Sequence, residues 1–259
     1  MDMMEKQRHE AILDILSDQN FARVTELSAR LEASQATIRR DIVTLSKQNM
    51  LAKIRGGVQS LQNNSTLSRL KGATFSNNKE QFSTNKKRIA DKAVELCEEG
   101  ESIIINGGST TFMMRYTLKD RQLNIMTNSF PLAYELNQNS NNRISLTGGE
   151  LYKKQSIVLS AYENDASSYY RGSKMFMGAL GVSEEGVMES DPLLIQAEQR
   201  LKKQAETLIL LADSSKLGIK SGMTFCPLSE IDILITDKDA DEKYLKVLEK
   251  HGVKIIIAD

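Results

Sequence analysis

Histidine occurs only twice in the chain, at His9 and His251. Two histidines so far apart do not make a metal-ligand set or the base of a nucleophilic triad, so metal sites and His-based catalysis are disfavoured and no cofactor is expected. Cysteine is as scarce, and Cys97 and Cys226 show no metal or redox spacing. Cys97 shares an apolar helical face with Ile89 and Ala93, which reads as a buried free thiol in a reducing compartment. No apolar run approaches the roughly 20 residues needed to span a bilayer. Residues 1–10 are charged and polar, unlike a secretory signal, so a cytoplasmic location is expected. Net charge is also absent: 34 basic residues balance 34 acidic ones, which argues against nonspecific coating of nucleic acid. There is no Gly-x-Gly-x-x-Gly after a strand and no P-loop, so dinucleotide and nucleoside triphosphate binding are disfavoured.

What is present suits a soluble chain of one small and one medium domain: 259 residues, 40% hydrophobic and 26% charged. Helical spacing predicts three short helices near the start. Ala11, Ile12, Ile15 and Leu16 mark the first, and Val24, Leu27 and Leu31 the second, with Thr25 as its expected N-cap. Ser34 is the expected N-cap of the third, whose apolar stripe is Ile38, Ile42 and Leu45. Residues 51–58 read as a hairpin turned by Gly56-Gly57. Residues 59–85 are rich in Asn, Ser, Gln and Thr and read as a linker. From residue 86, short apolar runs alternate with helical stretches. The runs centre on 103–105, 125–126, 144–146, 175–177, 208–211, 233–235 and 255–257. That alternation predicts an α/β domain over 86–259 built on a mostly parallel sheet.

The third helix carries the strongest signal. With Ile38 and Ile42 inward, Gln35, Thr37, Arg39 and Arg40 face away. One face packs while the other carries donors for base edges and phosphates, as a DNA-recognition helix requires. Ser34 and Thr37 suit phosphate or base contacts, Arg suits guanine and Gln adenine, and Lys53 and Arg55 on the hairpin suit phosphate or the minor groove. Between residues 34 and 58, five basic residues face one acidic residue, Asp41, a local charge of +4. Taken alone, the helix reads equally as an ordinary solvated face.

The second constellation is a set of polar loops after apolar strands. They are Asn106-Gly107-Gly108-Ser109-Thr110, Thr127-Asn128-Ser129, Thr147-Gly148-Gly149 and Asp213-Ser214-Ser215-Lys216. In an open α/β sheet, ligands bind beyond the carboxyl ends of strands. Glycines let a backbone approach an anion, hydroxyls add donors, and Lys153 and Lys216 add positive charge. The composite suits a phosphate bearing a polyhydroxy chain, although each loop alone reads as a helix cap or a turn.

These residues carry a family resemblance. Ser34-Gln35-Ala36-Thr37-Ile38-Arg39-Arg40-Asp41 followed by Gly56-Gly57 resembles the winged helix-turn-helix of the DeoR family of sugar-metabolism repressors. The Thr-Asn-Ser, Thr-Gly-Gly and Asp-Ser-Ser-Lys motifs resemble its effector domain, which is similar in fold to ribose-5-phosphate isomerase. Two positions depart from the family pattern: Arg55 stands where His is frequent, and Asn106 where Asp is usual. Asn106–Thr110, Gln155–Ser160, Ala197–Gln199 and Asp213–Lys216 look most like the branch governing L-ascorbate utilisation. The resemblance implies a repressor released from its operator by a phosphorylated sugar, L-ascorbate 6-phosphate in that branch. It adds Gln155, Asp191 and Glu198 to the effector-binding set of Asn106, Gly107, Gly108, Ser109, Thr110, Thr127, Asn128, Ser129, Gly148, Gly149, Lys153, Asp213 and Lys216. Asp191 and Glu198 read equally as acidic groups stabilising a helix N-terminus. Helix-turn-helix readers usually bind paired half-sites, so a homodimer or higher homo-oligomer on double-stranded operator DNA is expected.

The rival reading is a sugar-phosphate isomerase, which needs a general base beside the substrate carbon. The segment after 175–177 is Gly178-Ala179-Leu180-Gly181-Val182, which is apolar, and no histidine is near in sequence to replace a carboxylate. A module acting through protein contacts alone would not need the basic helix.

Overall fold

A computed structural model describes residues 5–19, 21–31, 33–48, 50–54, 56–60, 83–153, 155–161, 165–220 and 222–259. The chain divides into two compact units, 1–69 and 70–259. The expected linker over 59–85 lies largely outside the described residues, at 61–82, and its two ends belong to a strand and a helix.

In the first unit, α1 (Glu5–Gln19), α2 (Val24–Arg30) and α3 (Gln35–Lys47) close over Ile12, Leu16, Leu27, Ile38, Ile42 and Leu45. Ser34 caps α3 as expected, its side chain accepting from the Thr37 N–H at 3.1 Å. The expected cap at Thr25 is not formed: α2 already begins at Val24, preceded by Arg23, which makes no side-chain cap. The hairpin forms as β2 (Leu51–Ile54) and β3 (Gly57–Ser60), with Gly56 at φ +83° in its turn. A third strand, β1 (Phe21–Arg23), adds antiparallel to β3. Its three residues are too few to show a period, and its order comes from β3.

In the second unit all seven apolar runs become strands of one parallel sheet: β4 (Ser102–Ile105), β5 (Asn124–Thr127), β6 (Arg143–Leu146), β9 (Gly172–Met177), β12 (Ala205–Leu211), β14 (Ile233–Asp237) and β15 (Lys254–Ala258). Their order is β15-β14-β12-β9-β4-β5-β6, parallel throughout. The inner strands, buried on both faces, read as continuous apolar runs without alternation, whereas the edge strand β6 is only half-buried and reads Ile-Ser-Leu. Ile103 and Ile105 pack on one face with Ile89, Phe112, Leu118 and Leu132, from α4 (Ser83–Val94), α5 (Ser109–Met113), α6 (Arg115–Leu118) and α7 (Phe130–Asn139). Ile104, Met175 and Leu210 pack on the other with Leu201 of α8 (Pro192–Lys202) and Leu248 of α9 (Glu242–Lys250).

Two antiparallel additions were not legible beforehand: the hairpin β7 (Glu150–Tyr152) and β8 (Ile157–Leu159), and a three-stranded sheet of β10 (Gly181–Ser183), β11 (Gly186–Glu189) and β13 (Met223–Cys226). Among the described residues no helix is long and apolar enough to cross a membrane. Cys97 and Cys226 are free and buried.

The strand order fixes where a ligand site belongs. From β4 the chain winds outward through β5 and β6, and from β9 it winds the other way through β12, β14 and β15. Loops leaving β4 and β9 therefore diverge, and an open α/β sheet has its crevice at such a switch point.

Candidate DNA-reading helix and effector cleft

On α3 the buried residues are Ile38, Asp41, Ile42 and Leu45. Ser34, Gln35, Arg39 and Arg40 are exposed, Thr37 is half-buried, and Lys53 is exposed on β2. Arg55 lies outside the described residues. Among the described residues, the one tie between the long polar side chains of this face is a 3.5 Å contact from Arg39 to Gln35. Asp41, the one acidic residue of the stretch, turns inward. Arg8 of α1 grips it with Nε at 2.6 Å and Nη2 at 3.0 Å, and His9 Nε2 stands 3.1 Å from Oδ1. Burial alone would raise the Asp41 carboxyl, but the Arg8 and His9 hydrogen bonds outweigh it and hold the group below its ordinary value. The sequence motif thus joins two tasks: its arginines face water, and its aspartate fastens α3 to α1. Glu5, His9 and Asp41 lie close enough to share an ion, yet both Asp41 oxygens already face Arg8.

At the β4–β9 switch point a cleft is lined by Asn106–Thr110, Gln155 and Ile157, Gly178–Leu180, Glu189 and Ser190, Leu194, Glu198 and Lys216. Asn106 bridges its centre. Its Oδ1 accepts from Gly178 N–H at 3.2 Å, and its Nδ2 donates to Glu198 Oε1 at 2.9 Å. Glu198 sits mid-helix on α8, not at the helix start, and it is buried. Burial, with the Glu189 charge beside it, pushes Glu198 well above the usual carboxylate range, against the Asn106 hydrogen bond. Gly107 lies so close to β8 that a Cβ there would overlap Ile157 Cγ2. Asn128 Oδ1 accepts the Gly107 N–H at 2.6 Å and fixes this loop. Next to Ile157, Ser156 adopts φ +54°, a left-handed conformation uncommon for a residue with a side chain. The sharp turn it makes delivers Gln155 to the cleft. Behind Lys216, Lys86 of α4 is buried, and burial pushes its ammonium down to about 8 against the pull of Asp213.

The DeoR-like helix-turn-helix domain family matches residues 8–65, and the DeoR C-terminal sensor domain family matches residues 81–238. The HTH-type transcriptional regulator UlaR of Shigella dysenteriae serotype 1 is 36% identical over 254 residues, covering 98% of this chain and 99% of its own. The UlaR of Escherichia coli K12 / DH10B aligns with the same identity and coverage. The chain belongs to the DeoR family. It is a helix-turn-helix transcription regulator and not an enzyme. Among solved structures, ribose 5-phosphate isomerase A of Methanocaldococcus jannaschii aligns over 53% of this chain and 56% of its own, at 19% identity and TM-score 0.40.

In this DeoR-family sensor unit the sixteen expected effector residues separate into two groups. Asn106, Gly107, Gly108, Ser109, Thr110, Gln155, Glu198 and Lys216 line the cleft together. Thr127, Asn128, Ser129, Gly148, Gly149, Lys153, Asp191 and Asp213 do not line it, and most are framework. Thr127 Oγ1 accepts the Ser129 N–H, and Ser129 caps α7. Gly148 and Gly149 turn the chain at φ +79° and +126°, and a Cβ on Gly149 would run into the Leu159 carbonyl. Lys153 is exposed in the β7–β8 turn. Asp191 caps α8 and accepts from the Tyr152 hydroxyl at 2.7 Å, tying the hairpin to that helix. Asp213 caps its own turn by accepting from Ser215 N–H. Residues 178–182 are apolar, as read from the sequence, while α8 brings the expected Glu198 and β11 the unexpected Glu189 to the cleft from elsewhere in the chain. Glu189 and Ser190 carried no sequence signal, because the small antiparallel sheet that positions them was not legible.

Proposed function

We propose that this protein is a cytoplasmic repressor of a sugar or sugar-acid utilisation operon that binds double-stranded operator DNA as a homodimer or higher homo-oligomer. Ser34, Gln35, Thr37, Arg39, Arg40, Lys53 and Arg55 make the DNA contacts. A phosphorylated sugar, L-ascorbate 6-phosphate, enters the switch-point cleft and releases the protein from its operator. The observation that supports this most is one cleft holding the small-residue loop 106–110, the cation of Lys216 and the polar groups Gln155 and Glu198. The loop and Lys216 suit the phosphate, and the remaining groups suit the sugar. Release requires the ligand to prefer the DNA-free state over the bound one.

Thermal unfolding with a panel of phosphorylated sugars tests this reading. At a hundred times its dissociation constant, an effector adds about 2.7 kcal/mol to the native state. A shift with L-ascorbate 6-phosphate but not with L-ascorbate, together with loss of duplex binding at the same concentration, is the expected result. A shift with a different sugar phosphate would replace the effector, and none with any would remove the sensor reading.

A further inference from the structure

The hydrogen bonds at the centre of the cleft have a fixed direction. A backbone N–H can only donate, so the Asn106 atom facing Gly178 is its carbonyl oxygen. The Asn106 nitrogen is then turned to Glu198 and donates to Oε1. Oε1 is committed as an acceptor, and a hydrogen carried by Glu198 sits on Oε2. That atom is buried and has no hydrogen-bond partner among the described residues, although Glu198 lines the cleft. Glu198 is only 6% exposed, so bulk water does not readily serve it.

The elements packed on α8 decide whether Glu198 is charged or neutral. They are β8, the turn 166–169, β11, β12 and β13. From β11 comes Glu189, whose like charge opposes ionisation, and from β13 the Cys226 thiol, itself pushed up to about 11 by burial. β8 carries no titratable side chain, β12 carries only the exposed Glu206, and the 166–169 turn carries only the exposed Tyr169. On α8 itself, Arg200 is bonded to Asp165 and to the Ser160 carbonyl, and Lys202 pairs with Glu230. Lys216 lines the same cleft. The one hydrogen bond favouring ionisation comes from neutral Asn106.

We propose that Glu198 meets the effector as a hydrogen-bond donor, offering Oε2–H to a ligand oxygen that must accept. The inference rests on the sensor reading of the cleft and adds to it the polarity required of the ligand's unphosphorylated end. An enolate or carboxylate oxygen fits there better than a hydroxyl, because a hydrogen bond to an ionised acceptor is roughly twice as strong as a neutral one. The ligand class is therefore a phosphate of a sugar acid or of an enolised lactone rather than a plain polyol phosphate. Asn106 is the positioning residue. An aspartate in its place would still accept from Gly178 but would claim the Glu198 hydrogen for itself, leaving the cleft without its donor.

Calorimetric titration of the full chain with L-ascorbate 6-phosphate, from slightly acid to alkaline pH, tests the assignment in wild type, E198Q and N106D. Glutamine keeps an oxygen for Asn106 and holds an N–H where Oε2–H stands, but it does not titrate. Wild-type affinity should fall by up to about tenfold per pH unit once Glu198 loses its proton. E198Q should remove that slope, and N106D should weaken binding already at low pH. The phosphate's own ionisation near pH 6 affects all three proteins alike and cancels in their ratios. A wild-type profile parallel to that of E198Q would overturn the donor assignment while leaving the sensor reading intact. Absence of binding in wild type would remove the sensor reading instead. The ligand-free infrared difference spectrum, wild type minus E198Q, then decides the proton on its own: a protonated carboxyl band at neutral pH supports the donor, and its absence overturns it.

Discussion

The two units arrange their polar side chains in opposite ways. On α3, Gln35, Arg39 and Arg40 stand in water with almost no internal ties. In the switch-point cleft, Asn106 and Glu198 are buried and locked to each other and to Gly178. An exposed helix face can adapt to a long charged partner, whereas a buried network is set before its ligand arrives and recognises by donor and acceptor sense. The difference also governs stability. Substitutions on the outer face of α3 should change binding and leave folding alone, while substitutions in the cleft should disturb both.

Asp41 is the exception that tests this contrast most strongly, because it lies in the recognition helix yet behaves like a cleft residue. Asp41→Ala leaves the Arg8 guanidinium without its carboxylate; the two side chains are only 13% and 4% exposed. Breaking such a pair costs about 3 kcal/mol. For a small unit that is a large share of its stability. The expected outcome is loss of duplex binding and a lowered first unfolding transition, with effector binding in the second unit unchanged. An Asp41→Ala protein that still bound the duplex with normal affinity would make the residue dispensable. The same carboxyl gives a pH dependence. Its folded value lies below the ordinary one, so its contribution is complete above the unfolded value and is lost as pH falls through the folded one. Acid unfolding of the 1–69 unit should therefore shift less with pH in Asp41→Ala than in wild type.

Gly107→Ala makes the corresponding test of the cleft. The new methyl group would overlap Ile157 Cγ2, in a place held by the Asn128 hydrogen bond. Overpacking of this kind costs about 1–3 kcal/mol and displaces the loop. Effector-induced stabilisation should disappear, while duplex binding in the absence of effector persists. Retention of a normal effector response would show that the 106–110 loop is not part of the ligand site.

The contrast also explains what could be read from the sequence. The face of α3 follows from residues three and four apart, so Ile38, Ile42 and the outward arginines were legible together. The seven parallel strands were legible because each carries its own short apolar stretch, including the half-buried edge strand β6. The cleft is made by contacts between residues 92 apart for Asn106–Glu198 and 72 apart for Asn106–Gly178, and no local period reports those. The loops were recognisable as polar, but Thr127 and Ser129 spend their side chains on backbone N–H groups, and Asn128 spends its own on Gly107. Short strands such as β1 and β10 form only because a partner is already in place, so they leave little trace in composition. The inward turn of Asp41 was not legible because its partner Arg8 lies 33 residues away in the chain.

Arg39→Ala separates binding from folding. The side chain is exposed, so the unfolding temperature should hardly move. If Arg39 reads a base, specific duplex affinity should fall by about 1–3 kcal/mol and selectivity at one position should relax. Equal loss on specific and random duplexes would reduce it to a phosphate contact.

Lys53→Ala should have the smallest effect and gives the finest discrimination. Lys53 is exposed on β2, next to the Gly56 turn, where a point charge can meet a phosphate but cannot fork onto a base edge. Its loss should weaken all duplexes nearly equally and reduce the slope of log affinity against log salt by about one. Measuring that slope, rather than affinity at one salt concentration, keeps a lost ion contact apart from a displaced strand. A displaced wing would lower affinity without changing the slope by a whole unit, and it would also lower the unfolding temperature. An unchanged slope with unchanged stability would remove Lys53 from the DNA interface.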